Sequence, residues 1–288
     1  MNILSFDIEE WFHLLDNPAC RSEEQWAGRA SRIDRNVDRI LDLLAERSQR
    51  ATFFCLGWVA RSYPGVVRRI VAAGHELASH SDRHQLAYEQ SQAEFREDLL
   101  RSVDSIAQVS GERVRAYRAP GFSVTEANRW VFDELLAAGI EVDCSIFPAS
   151  RAHGGFPSFG QERPTRVELD GGSLREFPIN TVRVGGRRLV FSGGGYFRLM
   201  PYPLLRRFTR RSPYVMTYFH PRDFDPGQPI MEGLSPLRVF KSYYGLRRAA
   251  RKLSRYLDDV PWMTLSEAEA QVDWAKAPVV DLRRNHLS

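Results

Sequence analysis

His80-Ser81-Asp82-Arg83-His84 places two imidazoles four residues apart, near enough to share one cation if the segment turns as a helix or a tight loop does. Asp7 and Glu9 alternate as the side chains of an extended chain do, so both point to one side. One of them can hold a metal while the other takes a proton. Two imidazoles and a carboxylate with open coordination positions form a hydrolytic arrangement, in which an ion polarises a carbonyl and acidifies water. Glu10 points the other way and reads as a surface or supporting carboxylate, although spacing alone leaves either glutamate open as the ligand. His75 precedes an apolar pair and reads as a hydrogen-bonding residue at a strand end.

These groups need a rigid frame. Short apolar runs over 2–6, 51–56, 75–79, 114–118, 140–144 and 214–220 read as strands. Apolar residues at helical spacing over 33–44, 66–71, 95–106 and 131–138 fall between them, with Gly74, Gly111 and Gly139 as stops. Strand and helix in short alternation predict parallel βαβ units. In such folds the chemistry gathers at the carboxyl ends of strands. Asp7, Glu9, His80, His84, Arg118, Asp143 and His220 all fall at those ends. From 148 to 203, glycine and proline become frequent and β-type stretches replace helices, which reads as a hairpin and loop insertion. A basic helical segment follows, within about 236–275.

Five motifs occur in a recognisable order: Ser5-Phe6-Asp7-Ile8-Glu9, the His80/His84 pair, Arg118-Ala119-Pro120-Gly121, Asp143, and Tyr218-Phe219-His220-Pro221. Together they resemble the polysaccharide deacetylases, the NodB-homology proteins of carbohydrate esterase family four, from residue 3 to about 225. Phe191-Ser192-Gly193-Gly194-Gly195-Tyr196-Phe197-Arg198 is similar to the branch found in exopolysaccharide and O-antigen clusters. The resemblance implies a distorted (β/α) barrel and metal-dependent removal of an N-acetyl group from a sugar. It implies Asp7 as general base, Glu9, His80 and His84 as metal ligands, and Arg118 as the residue holding the base. It implies the backbone N–H of Gly121 as an oxyanion donor, and Asp143 as the partner of a general acid, His220. Where many members carry Asp-Asp, this chain has Asp7-Ile8-Glu9, and Gly121 stands where an aromatic residue is common.

The chemistry agrees with that assignment, because an acetamide is a poor electrophile whose leaving amine must be protonated, so a base and a separate acid are both required. A donor aimed at the developing oxyanion adds ~3 kcal/mol. A carboxylate beside His220 would favour the protonated imidazole that an acid needs. The expected cation is zinc, with cobalt, nickel or iron compatible by ligand softness. The alternative is an amidohydrolase for a small non-sugar amide. Trp11, Phe12, Tyr196, Phe197 and Tyr218 could stack on a sugar ring or fill the core, His153 could touch substrate, and Cys144 reads as a small buried residue.

Composition narrows the rest. The 288 residues carry 40 basic and 36 acidic side chains, a net +4, with 43% hydrophobic residues, as in an ordinary globular domain. One domain over 1–288 is expected, with a catalytic core over about 1–225. The most apolar stretch, 51–60, falls short of the ~20 residues that span a bilayer. Three widely spaced cysteines form neither a disulfide framework nor a zinc ribbon, and no leader pattern opens the chain, so a cytoplasmic location is expected. No nucleic-acid partner is expected from so small a net charge. The arginines at 206–211 and 247–251 read as a solvated helix face or as an attraction to anionic substrate or head groups, including peripheral contact with a lipid-linked substrate.

Overall fold

The computed structural model describes residues 1–15, 17, 20–150 and 154–283, so His153 lies outside the described residues. The chain opens with β1 (Asn2–Ile3) and β2 (Ser5–Ile8), then α1 (Glu23–Trp26) and α2 (Ile33–Ala45). β3 (Thr52–Cys55), α3 (Gly57–Ser62), α4 (Pro64–Ala72) and β4 (Glu76–Ser79) follow. Next come α5 (Gln92–Ser110), β5 (Ala116–Tyr117), α6 (Val131–Ala137) and β6 (Val142–Asp143). The periodicity anticipated these elements to within a few residues, except α1 and α3, which are too short to show a period. The ends are where local chemistry puts them. Ser91 and Glu94 form a capping box on α5, and Gly111 closes it in the left-handed conformation, φ 74°.

Beyond β6 the chain forms β7 (Thr165–Leu169), β8 (Gly172–Glu176) and the hairpin β9 (Val182–Val184) and β10 (Arg187–Leu189). It then runs through α7 (Gly194–Leu199), α8 (Tyr202–Arg211), β11 (Val215–Met216), α9 (Pro236–Tyr243), α10 (Leu246–Asp259), α11 (Leu265–Glu269) and β12 (Val279–Asp281). The expected insertion is not wholly peripheral: β8 pairs in parallel with β6 and is a member of the main sheet, while β7 lies antiparallel on its other edge.

The sheet runs β2-β3-β4-β5-β6-β8, all parallel, and β11 continues it beyond β2 by pairing with β1 and through a Phe6–Phe219 bridge. The expected barrel is present in distorted form, because backbone pairing does not close the ring among the described residues. Between β11 and the chain after β8, side chains take over. Tyr214 Oη donates to the Pro178 carbonyl at 2.7 Å, and Met216 N donates to Asn180 Oδ1 at 3.0 Å.

The two faces of this curled sheet carry different cores. Phe54, Ala78, Ala116, Val142, Cys144, Phe177 and Met216 point inward as one cluster. Phe6, Ile8, Phe53, Leu77 and Tyr117 point outward and pack under Val37, Ile40, Val67, Ile70, Phe95 and Leu99 of the helices. Each such side chain contributes roughly 1.5–3 kcal/mol on burial. The period of two along a strand therefore decides which polar residue enters the barrel. Asp7 alternates with outward Phe6 and Ile8, so it must point in.

Candidate active site

Asp7, at the end of β2, is almost fully buried and accepts from Arg118 Nη1 through Oδ1 at 2.6 Å. Arg118 is wholly buried, lies 3.9 Å over the Phe54 ring, and has no hydrogen bond at Nε or Nη2. The ion pair is thus desolvated on both sides, and the second carboxylate oxygen, Oδ2, faces the site.

Glu9, His80 and His84 converge: one ligand atom of each lies within 4.8 Å of the others. His80 Nδ1 is engaged by the Arg118 carbonyl at 2.8 Å, which leaves Nε2 for another partner. His84 Nε2 lies 2.5 Å from Glu9 Oε2, yet that buried oxygen accepts no hydrogen bond of acceptable geometry. A buried carboxylate oxygen without a donor, facing a histidine nitrogen, suits ligands turned toward a common point. Burial pushes His80 down to about 4, helped by His84 and Arg118 and opposed by Asp7 and Glu9, so the ring is neutral at physiological pH. Burial works against the charge of Glu9, but His84, His220 and His80 outweigh it and hold the carboxyl well below its usual range. One carboxylate oxygen and two imidazole nitrogens are the donor set that a borderline divalent cation takes. The residues fit such an ion.

The loop that presents the histidines is held in an uncommon shape. Ser81 and His84 both have positive φ, 72° and 56°. Asp98 on α5 accepts from the backbone N–H of Asp82 and Arg83 at 2.7 and 3.1 Å, and Ser102 donates to the Ser81 carbonyl at 2.9 Å. Two left-handed residues persist because α5 over-determines the loop.

His220 follows β11. Its Nε2 lies 3.8 Å from Asp7 Oδ2 and 3.8 Å from Glu9 Oε1, and its side chain is 26% exposed where the ligands are buried. Its Nδ1 meets Asp223 Oδ2 at 3.0 Å. This corrects one expectation: the carboxylate on His220 is Asp223 and not Asp143. The reason lies in strand alternation. Val142 and Cys144 point into the barrel, so Asp143 between them points out, beside Tyr117 and Glu176 of the neighbouring strands. There it accepts from Ser145 at 2.5 Å. Burial raises both Asp143 and Glu176 above the usual carboxylate range, and the charge of Asp143 adds to the rise of Glu176. The sequence reading missed Asp223; its place three residues after His220, behind a proline, was the only local signal for a side chain that returns to its own cap.

Glu10 leaves the site, as its alternation requires. Its Oε1 accepts from the N–H groups of Arg32 and Ile33 at 2.8 and 3.0 Å and so caps α2. Gly121 sits in the turn after Arg118 with φ 63°, and its N–H donates no hydrogen bond among the described residues. His75 accepts weakly from Ala51 N at 3.4 Å, at the strand end. Trp11, Phe12, Phe197 and Tyr218 are buried, and only Tyr196 of that aromatic set is exposed. Cys144 is buried and its thiol is pushed well up by desolvation, which argues against a nucleophile.

His13 carried no sequence signal. It stacks on His84, ring centroids 5.8 Å apart at 25°, inside a cage of Phe12, Trp26 and Trp58. Only the turn after Glu9 brings it there. Two of the glycines in the 193–195 run are also explained. A Cβ on Gly194 would lie 1.7 Å from Asp223 Oδ2, and one on Gly193 would lie 2.0 Å from the Tyr218 ring. The backbone approaches so closely that no side chain fits.

Comparison with known proteins gives the same direction. Residues 28–140 match the family described as Polysaccharide deacetylase, and residues 144–270 match a Domain of unknown function (DUF3473). A chitooligosaccharide deacetylase of Rhizobium leguminosarum bv. trifolii is 39% identical over 85 residues, 28% of this chain and 40% of that protein. A peptidoglycan-N-acetylglucosamine deacetylase of Bacillus cereus is 27% identical over 97 residues, 33% of this chain and 35% of that protein. The chain thus spans well under half the length of these curated relatives. Among solved structures, a candidate polysaccharide deacetylase from Mycobacterium smegmatis superposes with TM-score 0.65 at 22% identity, over 96% of this chain and 91% of that one. A carbohydrate esterase family four pseudoenzyme from Bacillus anthracis superposes with TM-score 0.52 at 14% identity, over 93% and 64%. Fold alone therefore does not separate an active member from an inactive one, and the side chains must.

Proposed function

We propose that this chain, which carries a polysaccharide deacetylase domain of the NodB/CE4 type, hydrolyses the N-acetyl group of a sugar unit in a surface glycan or its precursor with the help of a divalent cation, zinc by donor set. The observation that carries the reading is the placement of Asp7 and His220 beside the Glu9, His80 and His84 cluster. A cation held by Glu9, His80 and His84 would polarise the acetamide carbonyl and make water more acidic.

The chain's own residues then do the following. Asp7, held through Oδ1 by Arg118, takes a proton from the attacking water at Oδ2. Gly121 N–H faces the oxygen of the tetrahedral intermediate. His220 gives its Nε2 proton to the leaving nitrogen as the C–N bond breaks, so acetate and a free amine leave. Burial disfavours the imidazolium, but Glu9, the Asp223 hydrogen bond and charge, and Asp7 outweigh it and raise His220 to about 9. The acid is therefore charged at neutral pH. Cys20, Cys55 and Cys144 are all free and buried, as a reducing compartment would keep them, which supports a cytoplasmic site of action.

Acetate release from chitooligosaccharides, set against a panel of small non-sugar amides, tests the reading. Chelation should abolish release and zinc should restore it. His80→Ala is expected to lower zinc affinity by 10- to 100-fold or more, read by calorimetry on the folded protein. Turnover that survives complete chelation would end the metal-dependent reading.

The pH profile gives a second test. A raised His220 is protonated below about 9, so activity should fall as pH rises through that value. The linked stability is fully present below the unfolded value near 6.5 and is lost as pH rises through about 9. Asp223→Asn is expected to move the alkaline limb of kcat/KM down by about one unit or more. An unmoved limb would show that Asp223 does not act on His220.

A further inference from the structure

The arginines of the C-terminal half are not spread over the molecule. Helices α8, α9 and α10 carry eleven basic and two acidic residues, a net +9, against +4 for the whole chain, so the rest is net negative. Arg206, Arg207, Arg210 and Arg211 of α8 and Arg255 of α10 line one shallow depression with Tyr202. Arg207, Arg211, Arg247, Arg248 and Arg251 make no ion pair among the described residues and are exposed. Nothing in the hydrolytic site uses them.

The same helices leave large apolar side chains in solvent. Leu237, Phe240 and Tyr244 form a stripe at i, i+3 and i+7 along α9 and its C-cap, with the Phe240 and Tyr244 rings 4.9 Å apart. Leu199 on α7 and Leu204 on α8 are large apolar side chains left in solvent as well, and these five are 39–62% exposed. The helices are tied into one surface. Arg198 on α7 donates to the Tyr244 and Lys241 carbonyls at 2.6 and 3.2 Å, and Tyr202 on α8 donates to the Arg255 carbonyl at 3.0 Å.

We propose that α7 to α10 form a docking surface for an anionic lipid bilayer, with the arginines at the phosphate level and the α9 stripe entering the headgroup boundary. Charge complementarity names the partner's sign, and the apolar stripe names its class. A polyphosphate chain such as DNA uses the guanidinium groups alone, whereas a bilayer takes up both at once. No helix among the described residues is long and apolar enough to cross a membrane, so attachment would be peripheral. The surface also lies one ion pair from the catalytic groups, because Arg198 Nε holds Asp223 Oδ1 at 3.1 Å. Docking would thus set the site at a fixed height above the lipid. The inference stands apart from the deacetylase reading, since it uses none of the same residues as evidence for binding.

The experiment is vesicle co-sedimentation of the full chain, with phosphatidylcholine alone and with phosphatidylcholine mixed with phosphatidylglycerol. Retention is expected only on the anionic vesicles, falling as salt rises. The triple change Arg207→Glu, Arg211→Glu and Arg248→Glu should lower the partition coefficient on the order of a hundredfold or more, at roughly fivefold per arginine lost. Leu237→Ser with Phe240→Ser should lower it about tenfold or more. Both variants should keep the circular dichroism spectrum and the turnover of soluble chitooligosaccharide. If the triple variant loses its helical spectrum, Arg207→Gln, Arg211→Gln and Arg248→Gln take its place. Equal retention on neutral vesicles, no retention at all, or tighter retention on duplex DNA would overturn the proposal. So would full binding by the Leu237→Ser, Phe240→Ser variant.

Discussion

Asp7→Asn is expected to lower kcat/KM for acetate release by about a thousandfold, within the 10²–10⁴ range typical for loss of a general base. KM and zinc affinity should stay within about tenfold of wild type. The asymmetry follows from the two oxygens of one carboxylate. Oδ1 is committed to Arg118 at 2.6 Å, and an asparagine carbonyl can keep that contact. Oδ2, 3.8 Å from His220 Nε2, is the only one left to take a proton, and an amide nitrogen there cannot. Calorimetric zinc binding alongside steady-state kinetics separates the base from a ligand. A variant that loses zinc and activity together would make Asp7 part of the metal site. One that keeps a tenth of the wild-type rate would remove it from the mechanism.

Arg118→Leu is expected to cost about 3–5 kcal/mol of folding stability, read by urea denaturation, because it strands a buried carboxylate. Arg118 is wholly buried and Asp7 is 2% exposed, so water cannot take over the lost partner. The informative variant is the double one. Arg118→Leu combined with Asp7→Asn removes both charges, and should be more stable than Arg118→Leu alone, with a coupling of about 1–3 kcal/mol. Additive losses would mean that the pair is held by its packing on Phe54 and not by its charge. Arg118→Lys should rescue stability in part, since a lysine keeps the charge but not the fork.

Much of this site could be read from the chain alone, for a local reason. Alternation along a strand sends Asp7 and Glu9 to one side and Glu10 to the other, and the observed cap on α2 is what Glu10 does with that direction. The helical period marked α2, α4, α5 and α6, and with them the strands between. Residue types at strand ends then named the chemistry, because hydrolysis of an amide needs an electrophilic centre, a base and an acid.

Contacts across the sheet were decided only by the fold. Asp143 has the right type and lies at a strand end, yet its neighbours Val142 and Cys144 occupy the barrel interior and turn it outward onto Glu176. Asp223 takes the place beside His220 because a proline-led turn folds the chain back within three residues, and Gly194 lets α7 press against it. His13 reaches His84 only through the turn after Glu9, and β8 enters the main sheet from a stretch that reads as a hairpin and loop insertion. Periodicity fixes a side chain's direction relative to its own strand. Which groups share that direction across strands depends on register and on where the sheet stays open, and those follow from packing among residues far apart in sequence.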